Sequence, residues 1–319
     1  MKIIITGALG HIGSQLIREL PQKFSGAEII MIDNLSSQRY CSLFNLPENG
    51  NYSFIEADVI NNDLEEIFKN GDVVIHLAAL TNAEGSFERR KEVEYVNYNA
   101  TVSVANACCV TNCPMIHISS TSVYGTQKKV VDENCNSDEL KPQSPYAEVK
   151  LKEENFLKSL FNENKLNVII CRFGTICGIS PGMRFHTAVN KFCWQAIMGQ
   201  PLTVWETALN QKRPYLSSYD AIRAITFIIN NRLFDGNIYN ILAENLTVND
   251  VIGYIKKYVP DIKIKFVQSE IMNQLSYEVS NQRFIDKGFE FKGKVESNIK
   301  DSIELLSKAG GSRVKKNIF

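Results

Sequence analysis

The sequence predicts an α/β fold, a doubly wound parallel sheet with a smaller, interleaved C-terminal lobe. Three observations lead there. The chain opens with a β-branched apolar strand that runs directly into a glycine triplet and an amphipathic helix. Apolar strands and helical stretches then alternate, as parallel strands joined by right-handed helical crossovers do. Strand and helix patterning returns late in the chain, in Ser218 to Ile229 and Ile238 to Ile241, so the chain comes back to the sheet after a detour.

Lys2 to Thr6 is the first strand, and Gly7, Gly10 and Gly13 form the turn before a helix from Ser14 to Leu20. Such a turn needs glycine where the backbone bends sharply, where it approaches a pyrophosphate, and where helix lies against strand. The free N–H groups at the helix start then face the phosphate. The second strand, Glu28 to Ile32, ends at Asp33, about twenty residues past the last glycine, where a carboxylate can accept both ribose hydroxyls of an adenosine. Its charge opposes a 2′-phosphate, which favours NAD over NADP, while Arg39 nearby keeps NADP open. Taken alone, Asp33 could equally be a solvated loop carboxylate.

Tyr52 to Ala57 is a third strand with Asp58 and Val59 at its end. Asp63 to Lys69 is helical, and Asp72 to Leu77 is a fourth strand followed by Ala78 and Ala79. The crevice of a parallel sheet lies at the carboxyl ends of its strands, where all these residues fall. Small residues at 78 and 79 let the backbone lie close to a cofactor, or simply pack a helix.

The next strand, Met115 to Ser119, leads into Ser120-Thr121-Ser122-Val123-Tyr124-Gly125, and Ser144-Pro145-Tyr146-Ala147-Glu148-Val149-Lys150 opens a helix. Tyr146 and Lys150 are four apart and share one helical face. A phenol of ordinary pKa, about 10, is a poor base at neutral pH, but an adjacent ammonium and a nicotinamide cation both favour phenolate. Ser120, at the strand end, could hydrogen-bond the same substrate oxygen. Ser120, Tyr146 and Lys150 would then position and deprotonate an alcohol beside a nicotinamide. The Tyr-x-x-x-Lys spacing by itself also arises by chance.

Together, Thr6-Gly7-x-x-Gly10-x-x-Gly13, Asp33-Asn34-Leu35-Ser36, Asp58-Val59, His76-Leu77-Ala78-Ala79, Asn97, Ser119 to Gly125 and Tyr146-x-x-x-Lys150 resemble the extended short-chain dehydrogenase/reductases. Within them the NAD-dependent sugar-nucleotide epimerases and dehydratases, the UDP-glucose 4-epimerases among them, are most similar. The resemblance spans nearly all of the first 180 residues and then thins. It implies a Rossmann-type sheet, NAD as cofactor and a nucleotide-sugar substrate. It also implies Ser120, Tyr146 and Lys150 as the catalytic trio. Gly7, Leu9, Gly10, His11, Ile12, Gly13, Asp33, Asn34, Ser36, Asp58, Val59, Leu77, Ala78, Ala79, Asn97 and Phe173 would hold the dinucleotide, with Tyr146 and Lys150 touching it as well. Thr81, Ser120, Thr121, Thr175 and Arg213 fall on the substrate side. Residues 1–173, with 214–243 returning, would form the NAD-binding domain, 174–213 and 244–310 the substrate-binding lobe, and 311–319 a loose tail.

The 4,6-dehydratases of this family carry Thr-Asp-Glu immediately before Val-Tyr-Gly, because eliminating water needs an additional acid and base. Ser120-Thr121-Ser122 stands there instead, which favours oxidation and reduction at one carbinol carbon. An NAD-dependent epimerase acting at C4 is the reading; a net dehydrogenase or 4-keto reductase, and a catalytically silent NAD-binding regulatory protein, are the alternatives. In the second half, Thr175 replaces an asparagine and Ser217 a histidine usual in the family, while Arg213 matches an arginine that pairs with the nucleotide diphosphate, or is a surface ion pair. Ser180 to His186 is a turn-rich loop of the sort that covers a substrate; Arg184 or His186 within it could reach the ligand, but a lone basic residue in a loop is usually solvated. The His11 side chain is expected to face solvent or phosphate.

Lys plus Arg and Asp plus Glu are balanced at 35 each, so no net field recruits nucleic acid or anionic lipid. Eight cysteines without a Cys-x-x-Cys pair and four scattered histidines match no zinc spacing, and the cysteines read as reduced thiols. No apolar run reaches the ~20 residues that cross a bilayer, and the first residues lack a signal peptide's pattern, so the expectation is a cytoplasmic protein with no membrane partner and no metal. Asn97 to Cys108 and Tyr146 to Phe161 are amphipathic stretches that, in the resembling family, pair across a twofold axis, implying a homodimer.

Overall fold

The computed structural model describes residues 1–83, 85–125, 130–136, 139–268 and 276–309; the tail at 311–319 lies outside the described residues. In chain order the elements are β1 (Lys2–Thr6), α1 (His11–Lys23), β2 (Glu28–Asp33), β3 (Asn51–Glu56), α2 (Glu65–Phe68), β4 (Val73–His76), α3 (Arg90–Thr111), β5 (Met115–Ser120), β6 (Val130–Val131), α4 (Pro145–Asn162), β7 (Val168–Phe173) and β8 (Thr175–Cys177). They continue with α5 (Ala188–Ile197), β9 (Leu202–Trp205), β10 (Lys212–Ser217), α6 (Ser218–Asn230), β11 (Ile238–Ile241), β12 (Glu244–Thr247), α7 (Val248–Tyr258), β13 (Ile264–Val267), β14 (Glu278–Val279), α8 (Gln282–Ile285) and α9 (Val295–Ser307).

Seven strands form one sheet in the order β11-β7-β5-β4-β1-β2-β3, every neighbouring pair parallel. From β1 the chain builds outward through β2 and β3 on one side, then returns to lay β4, β5, β7 and β11 on the other. The reversal between β1 and β4 opens a crevice at the carboxyl ends of the strands.

Strand alternation fills both faces of this sheet. Ile3 and Ile5 of β1 join Leu16, Ile17, Ile222 and Ile225 beneath α1 and α6. Ile4 points the other way and joins Val104, Met115, Leu157 and Val168 beneath α3 and α4. Each such fully buried side chain contributes roughly 1.5–3 kcal/mol of apolar transfer. A third core, with Phe192, Val251, Ile252, Ile255, Ile299 and Ile303, joins α5, α7 and α9 into a separate lobe.

Local chemistry explains where the helices run. The first begins at His11, directly after the glycine turn and earlier than the sequence pattern suggests, and it continues through Pro21 to Lys23. Pro21 has no N–H for the Ile17 carbonyl, and the Tyr52 hydroxyl of β3 donates to that oxygen instead, at 2.9 Å. At the start of α4, Ser144 caps the helix by accepting the Ala147 N–H at 3.2 Å, and Pro145 occupies the first turn. Among the described residues no helix is long and apolar enough to cross a membrane. All eight cysteines carry free thiols.

Candidate active site

A cleft of about 600 Å³ opens at the carboxyl ends of the strands, running from the glycine turn to the β8 and β10 edge of the second lobe. At one end Gly7 has φ +67°, and a Cβ there would lie 2.6 Å from the Ala78 nitrogen. A Cβ on Gly13 would lie 2.6 Å from the Ala8 oxygen. Both glycines are required by the fold itself. Gly10 differs: its Cβ would meet nothing nearer than the Gly7 oxygen at 3.3 Å, so its bare face borders the cleft.

Asp33, at the tip of β2, accepts the Leu9 N–H with Oδ2 and the Leu35 N–H with Oδ1, each at 3.0 Å. These bonds tie the turn to the β2 tip and hold the carboxylate on the cleft wall. Asn34 donates to Asp58 Oδ2 at 3.2 Å, linking the next strand end. A glycine turn at a helix start, with a fixed carboxylate one strand away, is a cradle that fits a dinucleotide: the turn, bare at Gly10, would face the pyrophosphate and Asp33 the adenosine ribose.

On the other side of β1 lie Ser120, Tyr146 and Lys150, the trio expected from the sequence. Lys150 is buried, with its Nζ 5.9 Å from the centre of the Tyr146 ring. Burial alone would pull the Lys150 ammonium down, but Glu153 and then Tyr146 more than restore it, so it stays protonated. For Tyr146 the balance differs from the sequence expectation. Burial pushes the phenol above its ordinary value, and the pull of Lys150 does not fully offset it. Ser120 Oγ accepts from both the backbone N–H and the hydroxyl of Ser122, at 3.1 and 2.8 Å. Its proton is thereby free to be donated into the cleft.

Of the residues singled out from sequence, all but Asn97 line this one cleft. Asn97 is buried on α3, where it accepts the Leu80 N–H at 2.7 Å and donates to the Leu80 oxygen at 2.9 Å. It clamps the loop after β4, and so supports Ala78 and Ala79 from behind. Thr121 lines the cleft with its hydroxyl already donated to the Phe173 oxygen at 3.2 Å. Thr81 Oγ1, in contrast, is buried without a hydrogen-bond partner. Arg213 donates to the Lys212 oxygen and to Gln211 Oε1, and stacks over Tyr277.

His11 does not face solvent or phosphate. It is 2% exposed, with Nε2 2.9 Å from the Gly178 oxygen, and burial foremost lowers its pKa to about 4. The reason is that the 180–186 loop closes over the turn. Gly182 donates its N–H to Ser14 Oγ at 2.9 Å and packs so tightly that a Cβ would lie 2.4 Å from the Leu9 oxygen.

The same loop carries a side chain that sequence reasoning set aside. Arg184 lines the cleft with a buried Nε that has no hydrogen-bond partner. Burial, then the neighbouring Arg39, brings its pKa down to about 10. Arg184 is half-buried overall, and a guanidinium whose inner N–H points into the cleft without a partner is placed to meet an anionic ligand. The turn-forming Ser180-Pro181-Gly182 before it is the signal that could have found it, since that turn aims the loop inward.

Comparison with known proteins agrees with this arrangement. Residues 3–241 match the model of the NAD dependent epimerase/dehydratase family. A trifunctional UDP-glucose 4,6-dehydratase/UDP-4-keto-6-deoxy-D-glucose 3,5-epimerase/UDP-4-keto-L-rhamnose-reductase of Arabidopsis thaliana is 28% identical over 316 residues, covering 95% of this chain. This chain spans 46% of that relative's length. The dTDP-D-glucose 4,6-dehydratase of Homo sapiens is 30% identical over 287 residues, with 86% of this chain and 78% of the relative covered. The fold is shared with the crystal structure of UDP-glucuronic acid 4-epimerase from Bacillus cereus in complex with UDP-glucuronic acid and NAD, at a TM-score of 0.86, 24% identity, and coverage of 97% of this chain and 100% of that one. With a parallel sheet, a glycine turn and the Ser120, Tyr146 and Lys150 side chains all inside the matched residues, this chain belongs to the NAD dependent epimerase/dehydratase family.

Proposed function

We propose that this chain is a nucleoside-diphosphate sugar 4-epimerase. It oxidises the C4 carbinol, holds the 4-keto sugar while it turns, and reduces it from the other face. One observation carries the reading. Among the described residues lining the cleft, the carboxylates are Asp33 and Asp58, at the ends of β2 and β3 and across β1 from the reactive trio. Lys150 and Arg184 lie near Tyr146, and Ser120, Ser122 and Thr175 line the same cleft, with the lining histidines His76 and His186 held neutral by burial. Hydroxyls, a phenol and cations suffice to move a proton and hydride at one carbon, whereas eliminating water needs a further acid and base. Several relatives are named dehydratases, and the missing carboxylates argue against carrying that name over.

In this reading Tyr146 takes the carbinol proton, Ser120 holds the same oxygen, and Lys150 stabilises the phenolate. Bound NAD supplies the hydride acceptor. The bent loop carrying Gly182 and Arg184 keeps water off the reacting carbon. Arg184 adds a second element: its unanswered charge beside Tyr146 favours a sugar that carries a carboxylate, as the Bacillus cereus relative's substrate does.

The test is incubation with NAD and a panel of neutral and acidic nucleotide sugars, followed by proton NMR. Interconversion of a C4 epimer pair supports the reading, and formation of a 4-keto-6-deoxy sugar refutes it. Strict consumption of added NAD would make the protein a net dehydrogenase instead. Arg184→Met should lower kcat/KM for the acidic substrate by tenfold or more, in line with loss of one charged hydrogen bond at about 1.5–3 kcal/mol, and leave neutral sugars little changed.

A further inference from the structure

Lys150 has a second partner behind the cleft. Its Nζ donates to Glu153 Oε2 at 2.8 Å, one turn further along α4. Glu153 is fully buried, and the same Oε2 lies 3.1 Å from His117 Nε2 on β5. That approach is close but poorly aligned, leaving His117 Nε2 without a well-directed acceptor. Glu153 Oε1 makes no hydrogen bond. His117 stacks on His76, ring centroids 5.8 Å apart, and His76 is held by Thr6 Oγ1 at 2.8 Å and Thr101 Oγ1 at 3.3 Å.

A carboxylate in so dry a place is costly, and an apolar side chain would pack the same space. The neighbouring Glu154 meets the structural need on this helix, since it pairs with Arg172 of β7. Glu153 instead accepts from the Lys150 ammonium.

We propose that Glu153 is a positioning residue for the reaction: its carboxylate, shared between Lys150 and His117, holds the ammonium beneath Tyr146 and offsets part of its charge, and so sets how readily the phenol gives up its proton. This rests on Tyr146 being the base. Tyr146 faces Lys150 and Glu153 from its own helix and Arg184 from the 180–186 loop. Glu153 faces Lys150 on its own helix and His117 from β5, with Glu154 and its partner Arg172 alongside. Burial opposes charge on Glu153, but Lys150 and His117 carry it below the ordinary carboxylate value, so it is ionised. Burial holds His117 below its ordinary value despite that carboxylate, so the imidazole is neutral. The net effect at Tyr146 is one ammonium partly cancelled by one carboxylate.

Glu153→Gln tests this by two readouts. NMR of ring-13C tyrosine in the free protein follows the Tyr146 phenol directly, with Tyr146→Phe as assignment control, and the pH profile of kcat/KM follows it in turnover. With the carboxylate gone the ammonium is unopposed, so both titrations move to lower pH by roughly half a unit or more. Glu153→Asp, which keeps the charge at shorter reach, moves them less. Unmoved titrations, or movement to higher pH, overturn the proposal. Loss of thermal stability with unmoved titrations makes Glu153 a structural counter-ion and overturns it equally. Should Glu153→Gln not fold, His117→Phe concentrates the carboxylate on Lys150, and the phenol then titrates at higher pH; no movement overturns the proposal. The NMR arm needs no substrate, so absence of turnover by the wild type would refute the epimerase reading while leaving this one separately readable.

Discussion

Arg172 and Glu154 meet as a two-pronged ion pair sealed inside the protein, Nε on Oε1 at 2.9 Å and Nη2 on Oε2 at 2.6 Å. Ser119 donates to the same carboxylate at 2.5 Å, and the guanidinium lies over the Tyr124 ring at 4.8 Å. The pair pins α4 to β5 and β7. It thereby sets Tyr146 and Lys150, on that helix, against Ser120 at the end of β5.

Breaking one side of this pair strands a buried charge. Glu154→Gln is expected to cost roughly 3–5 kcal/mol in urea unfolding, and the double variant Glu154→Leu with Arg172→Met should regain a large part of it. A single-variant loss under about 1 kcal/mol would show that water reaches the pair.

The three glycines of the first turn are expected to separate by phenotype. Gly13→Ala drives a methyl against the Ala8 backbone at 2.6 Å, so urea unfolding should show a loss of about 1–3 kcal/mol. Gly10→Ala meets only the Gly7 oxygen, tightly at 3.3 Å, and borders the cleft, so it should lose less stability than Gly13→Ala and weaken NAD binding in calorimetry. Equal NAD affinity for Gly10→Ala and wild type would place the pyrophosphate elsewhere.

His11 makes stability depend on pH. Its folded pKa of about 4 lies below the unfolded value of 6.5, so the unfolded chain takes up a proton first as pH falls. The stability that neutral His11 contributes is whole above pH 6.5 and is lost as pH drops towards about 4. The slope reaches at most about 1.4 kcal/mol per pH unit from this group. His11→Gln, which keeps a donor for the Gly178 oxygen, should reduce the slope of the unfolding free energy across that window by one group's share, the rest belonging to His76, His117 and His186. An unchanged slope would mean that His11 is not protected from protonation.

Much of this was legible in the chain itself. Lys2–Thr6 and Ile238–Ile241 have the bounds that the apolar pattern predicts, because both strands are buried on each face and punctuated by glycine or polar turns. That the glycine turn and Ser120, Tyr146 and Lys150 line one cleft was legible because glycine spacing and a four-residue Tyr–Lys interval are local signals. What was not legible depends on contacts between distant segments. Nothing near His11 announces that Gly178 will accept its ring N–H, 167 residues away. Asn97 carries the right residue type, yet its amide is consumed by Leu80. Arg184 looks solvated until Gly182 is seen against the Leu9 and Gly10 backbone.

The most direct test of the whole account follows a deuterium at C4. A nucleotide sugar labelled there, incubated with the wild-type protein and catalytic NAD, should yield its C4 epimer with the deuterium retained, because the hydride never leaves the cleft. Tyr146→Phe should bind NAD with nearly unchanged affinity and lower the rate by a factor of about 100 or more, the contribution of a positioned proton acceptor. Epimerisation at equal rates by both proteins, or a dehydrated 4-keto product from the wild type, would contradict it.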